Sequence, residues 1–205
     1  MKKLFDGNGL RKVKLSEIAT IRRGASPRPI LNKAYFSDSG RGWIRIEDVT
    51  SSYKYLNKTS QYLSDLGASK SVSVNKGDLI MSICATIGKP IIVNIPACIH
   101  DGFVLFGNID DTKYDREYLF YALQSIETDF LRKKQSGTQG NLNTTLVGKT
   151  EIFVPKTIEE QRKIVEVFST LDKKLSLQTT QKHKLERIKR GLMNDLLTGK
   201  KRVNS

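Results

Sequence analysis

A row of residues in the last quarter of this chain constrains its fold more than any other feature. Ile164, Phe168, Leu171, Leu175, Gln178, Lys182, Leu185, Lys189, Leu192 and Leu196 step alternately by four and three. That is a period of about 3.5, the seam of a coiled coil rather than the broader apolar face of a helix on a globular surface. The start is marked by Pro155, by Thr157 as N-cap and by Glu160 three residues on, which together make a capping box. Gly199 marks the stop. The spacing predicts one helix over residues 157–199. At a rise of about 1.5 Å per residue it would be roughly 60 Å long. The domain ahead of it, residues 1–156, can cover only part of that length, so the helix is expected to need a partner. An amphipathic helix folded back on its own domain is the alternative.

A chain of 205 residues suits one domain of about 150 residues plus such an extended element, and a domain of that size buries a sufficient core without staples. The net charge is +14. Residues from Thr157 onward contribute 12 Lys and Arg against 6 Asp and Glu, and the first 156 residues contribute 23 against 15, so both parts are basic. A polyanion is the natural partner, and nucleic acid fits better than a membrane surface. No stretch has the apolar length of a membrane span, and the basic start at Met1-Lys2-Lys3 has no apolar segment after it of the kind a signal peptide needs. Two cysteines, Cys84 and Cys98, suit a reducing compartment and suggest no disulfide framework. The expected location is cytoplasmic.

Along the chain, residues 1–11 read as a loose lead-in. Residues 13–21 read as a short strand, a helical turn started by Ser16 and a second strand. Residues 22–33, with Gly24, Pro27 and Pro29, read as a basic surface loop. Trp43-Ile44-Arg45-Ile46 alternates like a strand and 48–52 turns out of it. Residues 53–67 should end in a helical turn closed by Gly67. Lys76-Gly77-Asp78 turns into a buried strand at 79–84, with Cys84 packed in the core, and Thr86-Ile87-Gly88-Lys89 turns again. Strands are expected at 91–95 and 103–106. Asp115 should cap a helix running from 116 to about 133, with Tyr118, Leu119, Ala122, Leu123, Ile126 and Phe130 on its inner face. A polar loop at 135–141 and a strand at 151–154 complete the domain, and residues 200–205 form a basic tail. The fold class expected is α+β: a mixed, β-rich domain with long loops, followed by a long C-terminal coiled-coil helix. Long ordered loops on a rigid body tend to bind things.

Local motifs spread over the chain resemble the specificity subunits of type I restriction-modification systems. They are Leu15-Ser16-Glu17-Ile18 with Arg23-Gly24, Gly42-Trp43-Ile44-Arg45-Ile46-Glu47-Asp48-Val49, and Lys76-Gly77-Asp78-Leu79-Ile80-Met81-Ser82. Next come Ala85-Thr86-Ile87-Gly88-Lys89, Tyr118-Leu119-Phe120-Tyr121, and Ser136-Gly137-Thr138-Gln139-Gly140-Asn141-Leu142. Last are Pro155 with Glu160-Gln161-Arg162-Lys163-Ile164, Leu171-Asp172, and Leu196-Leu197-Thr198-Gly199-Lys200. Each is weak alone; their shared order is specific. The resemblance implies a target-recognition (DNA-binding) domain over residues 1–156 that reads half of a split site in double-stranded DNA. It implies a dimerisation and spacer helix over 157–199 that docks the adenine methyltransferase subunits and, through them, the restriction subunit. A complete subunit of that family usually carries two such domains and two helices paired antiparallel; this chain has one of each. It therefore resembles half a subunit, either a natural half that dimerises or a fragment of a longer chain. A homodimer would read an interrupted palindrome, and pairing with a different half an asymmetric site. Domains at opposite ends of a helix of roughly 60 Å would sit about 18 base pairs apart. Gln178 and Lys182 interrupt the seam mid-helix; they either fix register at a cost in stability or reach water where the helices flare.

DNA contact needs cations and small donors for phosphates, and Arg, Lys, Asn, Gln, Ser or Thr for base edges. The candidates are Arg22, Arg23, Arg28 and Lys33 in the first basic stretch, Lys54, Tyr55 and Lys58 in the second, and Lys70. Thr86 and Lys89 in one turn, and Lys134, Gln135, Ser136, Thr138, Gln139 and Asn141 in the polar loop, complete the set. For any single cation the competing reading is a solvated surface residue. The partner-helix candidates are Ile164, Phe168, Leu171, Leu175, Gln178, Lys182, Leu185, Leu192 and Leu196.

Cys84, Cys98 and His100 lack the paired spacing of a zinc site, so no metal is expected. His100-Asp101 has no activated Ser or Cys evident beside it. There is no phosphate-binding Gly-rich loop, no dinucleotide fingerprint and no Asn-Pro-Pro-aromatic methyltransferase motif; Asn94-Ile95-Pro96-Ala97 only approaches the last. No catalytic residue and no cofactor is therefore expected in this chain. On the resemblance, S-adenosylmethionine, ATP and Mg belong to partner subunits. A dimeric coiled-coil DNA-binding regulator acting alone and a nuclease with a diffuse active site are the competing classes.

Overall fold

The computed structural model describes residues 9–128, 130 and 142–203. It divides into two compact units, one through Arg162 and one from Lys163. In the first unit, strand β1 (Leu10–Lys14), helix α1 (Leu15–Ile18) and strand β2 (Thr20–Arg23) come first. This is the expected strand–turn–strand, shifted. Leu10 and Arg11 belong to a strand rather than a loose lead-in, because they pair antiparallel with the distant segment Glu151–Pro155. Arg22 and Arg23 likewise lie on β2 and not in a loop.

A 3-10 turn (Lys33–Tyr35), β3 (Phe36–Ser37), β4 (Arg41–Ile44) and α2 (Ile46–Ser51) follow. The expected turn at 48–52 is a helix instead. Asp48 organises it: one carboxylate oxygen accepts from Arg45 N at 2.8 Å and the other from Ser60 N at 2.9 Å. Next come β5 (Tyr55–Leu56), β6 (Gln61–Leu63), α3 (Asp65–Ser69) and β7 (Val72–Val74). Gly67 does not close α3; it lies inside it. A Cβ there would stand 2.1 Å from the Tyr35 carbonyl oxygen, so glycine serves a close approach rather than a C-cap.

Strands β8 (Leu79–Ser82), β9 (Pro90–Val93), β10 (Ala97–Ile99) and β11 (Phe103–Gly107) are buried along nearly their whole length. Helix α4 (Arg116–Ser125) is capped as expected by Asp115, which accepts from Glu117 N and Tyr118 N, both at 3.0 Å. The run breaks in a turn at Ile126 and helical backbone resumes at residues 127, 128 and 130; residues 129 and 131–133 lie outside the described residues. Phe120 and Tyr121 are buried in addition to Tyr118, Leu119, Leu123 and Phe130. Helix α5 (Thr144–Lys149), capped by Asn143 through Leu146 N at 2.8 Å, leads into β12 (Glu151–Pro155).

The strands form a β1–β12 ribbon and two five-stranded sheets, ordered β3-β6-β4-β10-β7 and β2-β11-β8-β9-β5. β10 is parallel to β4 and β5 is parallel to β9; the other pairings are antiparallel. The main core joins the sheets: Ile44, Val72, Val74, Ala97 and Ile99 from the first meet Leu56, Ile80, Ile91, Val93 and Phe103 from the second. Trp43 and Cys98, alternating with Ile44 and Ile99, turn to the other face and pack with Leu63. The expected α+β class is the observed one. Cys98 is the fully buried cysteine, whereas Cys84 lies past the end of β8 and is half-buried.

Helix α6 (Ile158–Leu197) is continuous over 40 residues and enters the second unit at Lys163. Thr157 Oγ1 accepts from Glu160 N at 3.3 Å, as expected of the N-cap. Gln161, fully buried, ties this first turn to the preceding domain. Its Oε1 accepts from Asp115 N and its Nε2 donates to Lys113 O, both at 2.9 Å.

Candidate nucleic-acid interface

The basic candidates divide into residues that face solvent and residues used within the fold. Lys54 belongs to the second kind. It is 8 % exposed, and its Nζ bonds the Glu117 carboxylate and, at 3.3 Å, the Tyr121 hydroxyl. It also stands over the Tyr55 and Tyr121 rings, 5.3 and 4.8 Å from their centroids. Tyr55 donates its hydroxyl to the same Glu117 carboxylate. Burial raises Glu117, but the hydrogen bonds from Lys54 and Tyr55 outweigh it and hold the carboxyl below its ordinary value. Lys54 and Tyr55 therefore clamp β5 to α4, which explains why a lysine can be buried there. Lys58, beyond β5, is exposed. The segment forms a shallow hollow of about 450 Å³ lined by Ser51, Ser52, Tyr53, Lys54, Tyr55, Asn57 and Lys58. Lys89 joins it at the Thr50 carbonyl, to which its Nζ donates at 3.3 Å.

Lys70 is exposed but engaged: its Nζ donates to Tyr35 Oη at 3.2 Å and lies 5.1 Å from the ring centroid. Lys33 is exposed at the start of the 3-10 turn. Thr86 is half-exposed, and its carbonyl accepts from Ser82 Oγ. Lys134, Gln135, Ser136, Thr138, Gln139 and Asn141 lie outside the described residues.

The first basic stretch is not one patch. Arg22 and Arg23 are consecutive on a strand, so their side chains leave opposite faces of the sheet. Arg23 turns to the 100–102 connection between β10 and β11, where its Nε donates to Asp101 O at 2.8 Å. Arg28 reaches the same turn, with Nη2 3.4 Å from Asp101 Oδ2, and Ser26 Oγ donates to Asp101 Oδ1 at 2.7 Å. The backbone is clamped there too: Gly24 N donates to Phe103 O at 2.9 Å and Ala25 N to Ile99 O at 3.1 Å. A Cβ on Gly24 would stand 2.1 Å from His100 O, so only glycine permits this approach. The flexible basic loop expected from the prolines and glycine is, at residues 24–28, fastened to the turn.

His100 Nδ1 accepts from Gly102 N at 2.9 Å, so it is not free to donate to Asp101 as a catalytic base would. Burial, then Arg45, pushes its imidazole below the ordinary value. Burial and the Asp101 charge push the Cys84 thiol up, away from a reactive thiolate. Among the described residues no three His, Cys, Asp or Glu side chains are grouped to hold a metal ion, and no helix is long and apolar enough to cross a membrane.

On α6, Phe168, Leu171, Leu175, Leu185, Leu192 and Leu196 are 40–60 % exposed, an apolar row in solvent broken by Gln178, Lys182 and Lys189. Ile164 is half-buried; Gln178 and Lys182 are exposed, with Lys182 Nζ 4.0 Å from Glu186.

Fold and surface together define a class: a two-sheet α+β domain with a basic surface, joined to a helix that carries a coiled-coil seam. Within that class the chain belongs to the family of the type I restriction modification DNA specificity domain, whose family model matches residues 8–187. It is 26 % identical over 206 residues to the type I restriction enzyme MjaVIII specificity subunit of Methanocaldococcus jannaschii, covering 94 % of this chain and 46 % of that one. Among solved structures, it is similar to the HsdS subunit from Thermoanaerobacter tengcongensis, with a TM-score of 0.67 at 20 % identity, over 95 % of this chain and 46 % of that one. A chain from a structure on complex assembly and conformational transition of the type I R-M system gives a TM-score of 0.69 at 20 % identity, over 94 % and 47 %. The chain thus spans about half the length of the relatives it matches.

Proposed function

We propose that this chain is a half-length, non-catalytic specificity subunit. Residues 1–156 read one half-site of a bipartite target in double-stranded DNA, 157–199 pair with a second helix, and 200–205 form a basic tail. The observation that carries this is the family match over 8–187, together with coverage of 46 % of the M. jannaschii relative. The adenine methyltransferase docks on the paired helices and brings the restriction subunit with it. S-adenosylmethionine, ATP and Mg then act in those partners, in the cytoplasm.

The partner helix is a second copy or another half-subunit, antiparallel. Self-complementarity favours a second copy. Each seam residue has a mate equidistant from Thr180: Gln178 and Lys182, Leu175 and Leu185, Leu171 and Lys189, Phe168 and Leu192, Ile164 and Leu196. An antiparallel pair centred there puts apolar residues together in three of these five layers and sets Lys182 against Gln178. Lys189, opposite Leu171, can run its stem along the seam and keep its ammonium in water. A parallel pair would stack Lys182 on Lys182 and Lys189 on Lys189, two like-charge layers.

Binding assays distinguish this reading from its competitors. Tight, sequence-selective binding should appear only when the methyltransferase is added, and should weaken steeply with salt as phosphate contacts release counterions. Equally tight selective binding by the chain alone would indicate an autonomous regulator, and cleavage of DNA by the chain alone an enzyme.

A further inference from the structure

An acidic side chain stands where a polyanion-binding surface would least favour one. Asp101 sits in the turn that carries the chain from one five-stranded sheet to the other, among Arg23, Arg28 and the half-buried His100. Its two carboxylate oxygens are divided: Oδ1 takes the Ser26 hydroxyl at 2.7 Å and Oδ2 faces Arg28 Nη2 at 3.4 Å. Its main-chain carbonyl takes Arg23 Nε at 2.8 Å. One residue therefore holds two guanidinium groups that come from different segments, the end of β2 and the stretch after it.

The Ser26 hydroxyl needs only an acceptor, and the ion pair with Arg28 adds too little stability to explain the charge. The Arg28 and Asp101 side chains are 72 % and 42 % exposed, and an ion pair so exposed is worth little. Affinity for phosphates does not explain it either, since a negative charge on that surface opposes them. What it does supply is orientation. A long arginine held before binding loses less freedom on binding, and a guanidinium presented in a fixed plane matches a pair of adjacent acceptors such as the major-groove edge of guanine.

We propose that Asp101 is a positioning residue for sequence discrimination, holding Arg28 and Arg23 as a pre-oriented pair that meets base edges at the expense of overall polyanion affinity. This rests on the DNA-reading function proposed above. The Asp101 carboxylate orients Arg28, its main-chain carbonyl orients Arg23, and the arginines are the groups that touch DNA.

The test is adenine-methylation mapping in a host that carries the methyltransferase partner and this full chain, as wild type, Asp101→Asn or Asp101→Glu, with thermal melting of each purified chain. Asn keeps an acceptor for Ser26 and removes the charge. The expected result for Asp101→Asn is a relaxed motif: at one or more positions the preference over wrong bases falls by about 5- to 150-fold, the range of one lost base contact, so that new sites are methylated. Cognate sites should stay methylated and melting should be nearly unchanged. Asp101→Glu should restore part of the selectivity. An unchanged motif overturns the proposal, and so does a uniform loss of methylation with lowered melting, which marks a merely structural role. A wild-type chain that directs no methylation overturns the DNA-reading function itself, a distinct outcome.

Discussion

At the scale of single residues, the fold reassigns groups that sequence chemistry cannot separate. Lys54 and Lys58 look alike in sequence, yet one is enclosed by Glu117, Tyr55 and Tyr121 and the other faces solvent. The distinction depends on α4, sixty residues away, and no local spacing announces it. It has a pH consequence. The folded Glu117 carboxyl sits below its ordinary value of 4.5, so its stabilising contribution is complete above that pH and is lost as pH falls through the lower, folded value. Glu117→Gln should cost roughly 1–2 kcal/mol near neutrality, the range for a charge-assisted hydrogen bond discounted for exposure. The gap from wild type should narrow as pH falls below 4.5. Urea melts at a series of pH values from 7 downward check this; a gap that does not narrow as the pH falls would contradict it. Gln161 is a second residue whose role was hidden. The sequence shows it in a recurring string, but only the structure shows why it is a glutamine: one amide both accepts from Asp115 N and donates to Lys113 O.

At the scale of elements, what was legible was whatever carries a local signature. The period of α6, the Asp115 cap of α4 and the apolar runs of β8 and β11 all appear near their expected positions. What was not legible is short and held by distant partners. β10 is three residues between Pro96 and His100, and it exists because β4 and β7 flank it. β5, β6 and β7 are two or three residues each, too short for alternation to register. α5 has no long apolar stripe to betray it. The α6 seam makes the firmest element-level prediction. Replacing Leu175 and Leu185, which face each other in the antiparallel pair, by Glu puts uncompensated charges into the paired state, each costing on the order of 3–5 kcal/mol if fully desolvated. A dimeric wild type should become a monomer of half the mass by light scattering, with the circular dichroism of the β-rich domain retained. A double variant that remains dimeric would remove the seam from the partner interface.

At the scale of the whole molecule, charge and architecture point the same way. A net +14 spread over both parts of the chain suits a protein that lies along a polyanion, and the exposed seam of α6 offers a face to a second helix. The sequence made the domain-plus-helix plan visible and left the reading surface diffuse, because exposed arginines and lysines look alike until the fold fixes their neighbours. Arg23 and Arg28 converge on Asp101, while Arg22, adjacent in sequence, leaves by the other face. The central claim is that this chain chooses which DNA sequence a partner methyltransferase modifies. Adenine-methylation mapping in a host that supplies the methyltransferase, with and without this chain, tests it most directly. The account predicts that a bipartite motif becomes methylated only when the chain is present, with the two halves inverted copies of each other if it pairs with itself. Identical methylation maps in the two strains would contradict it.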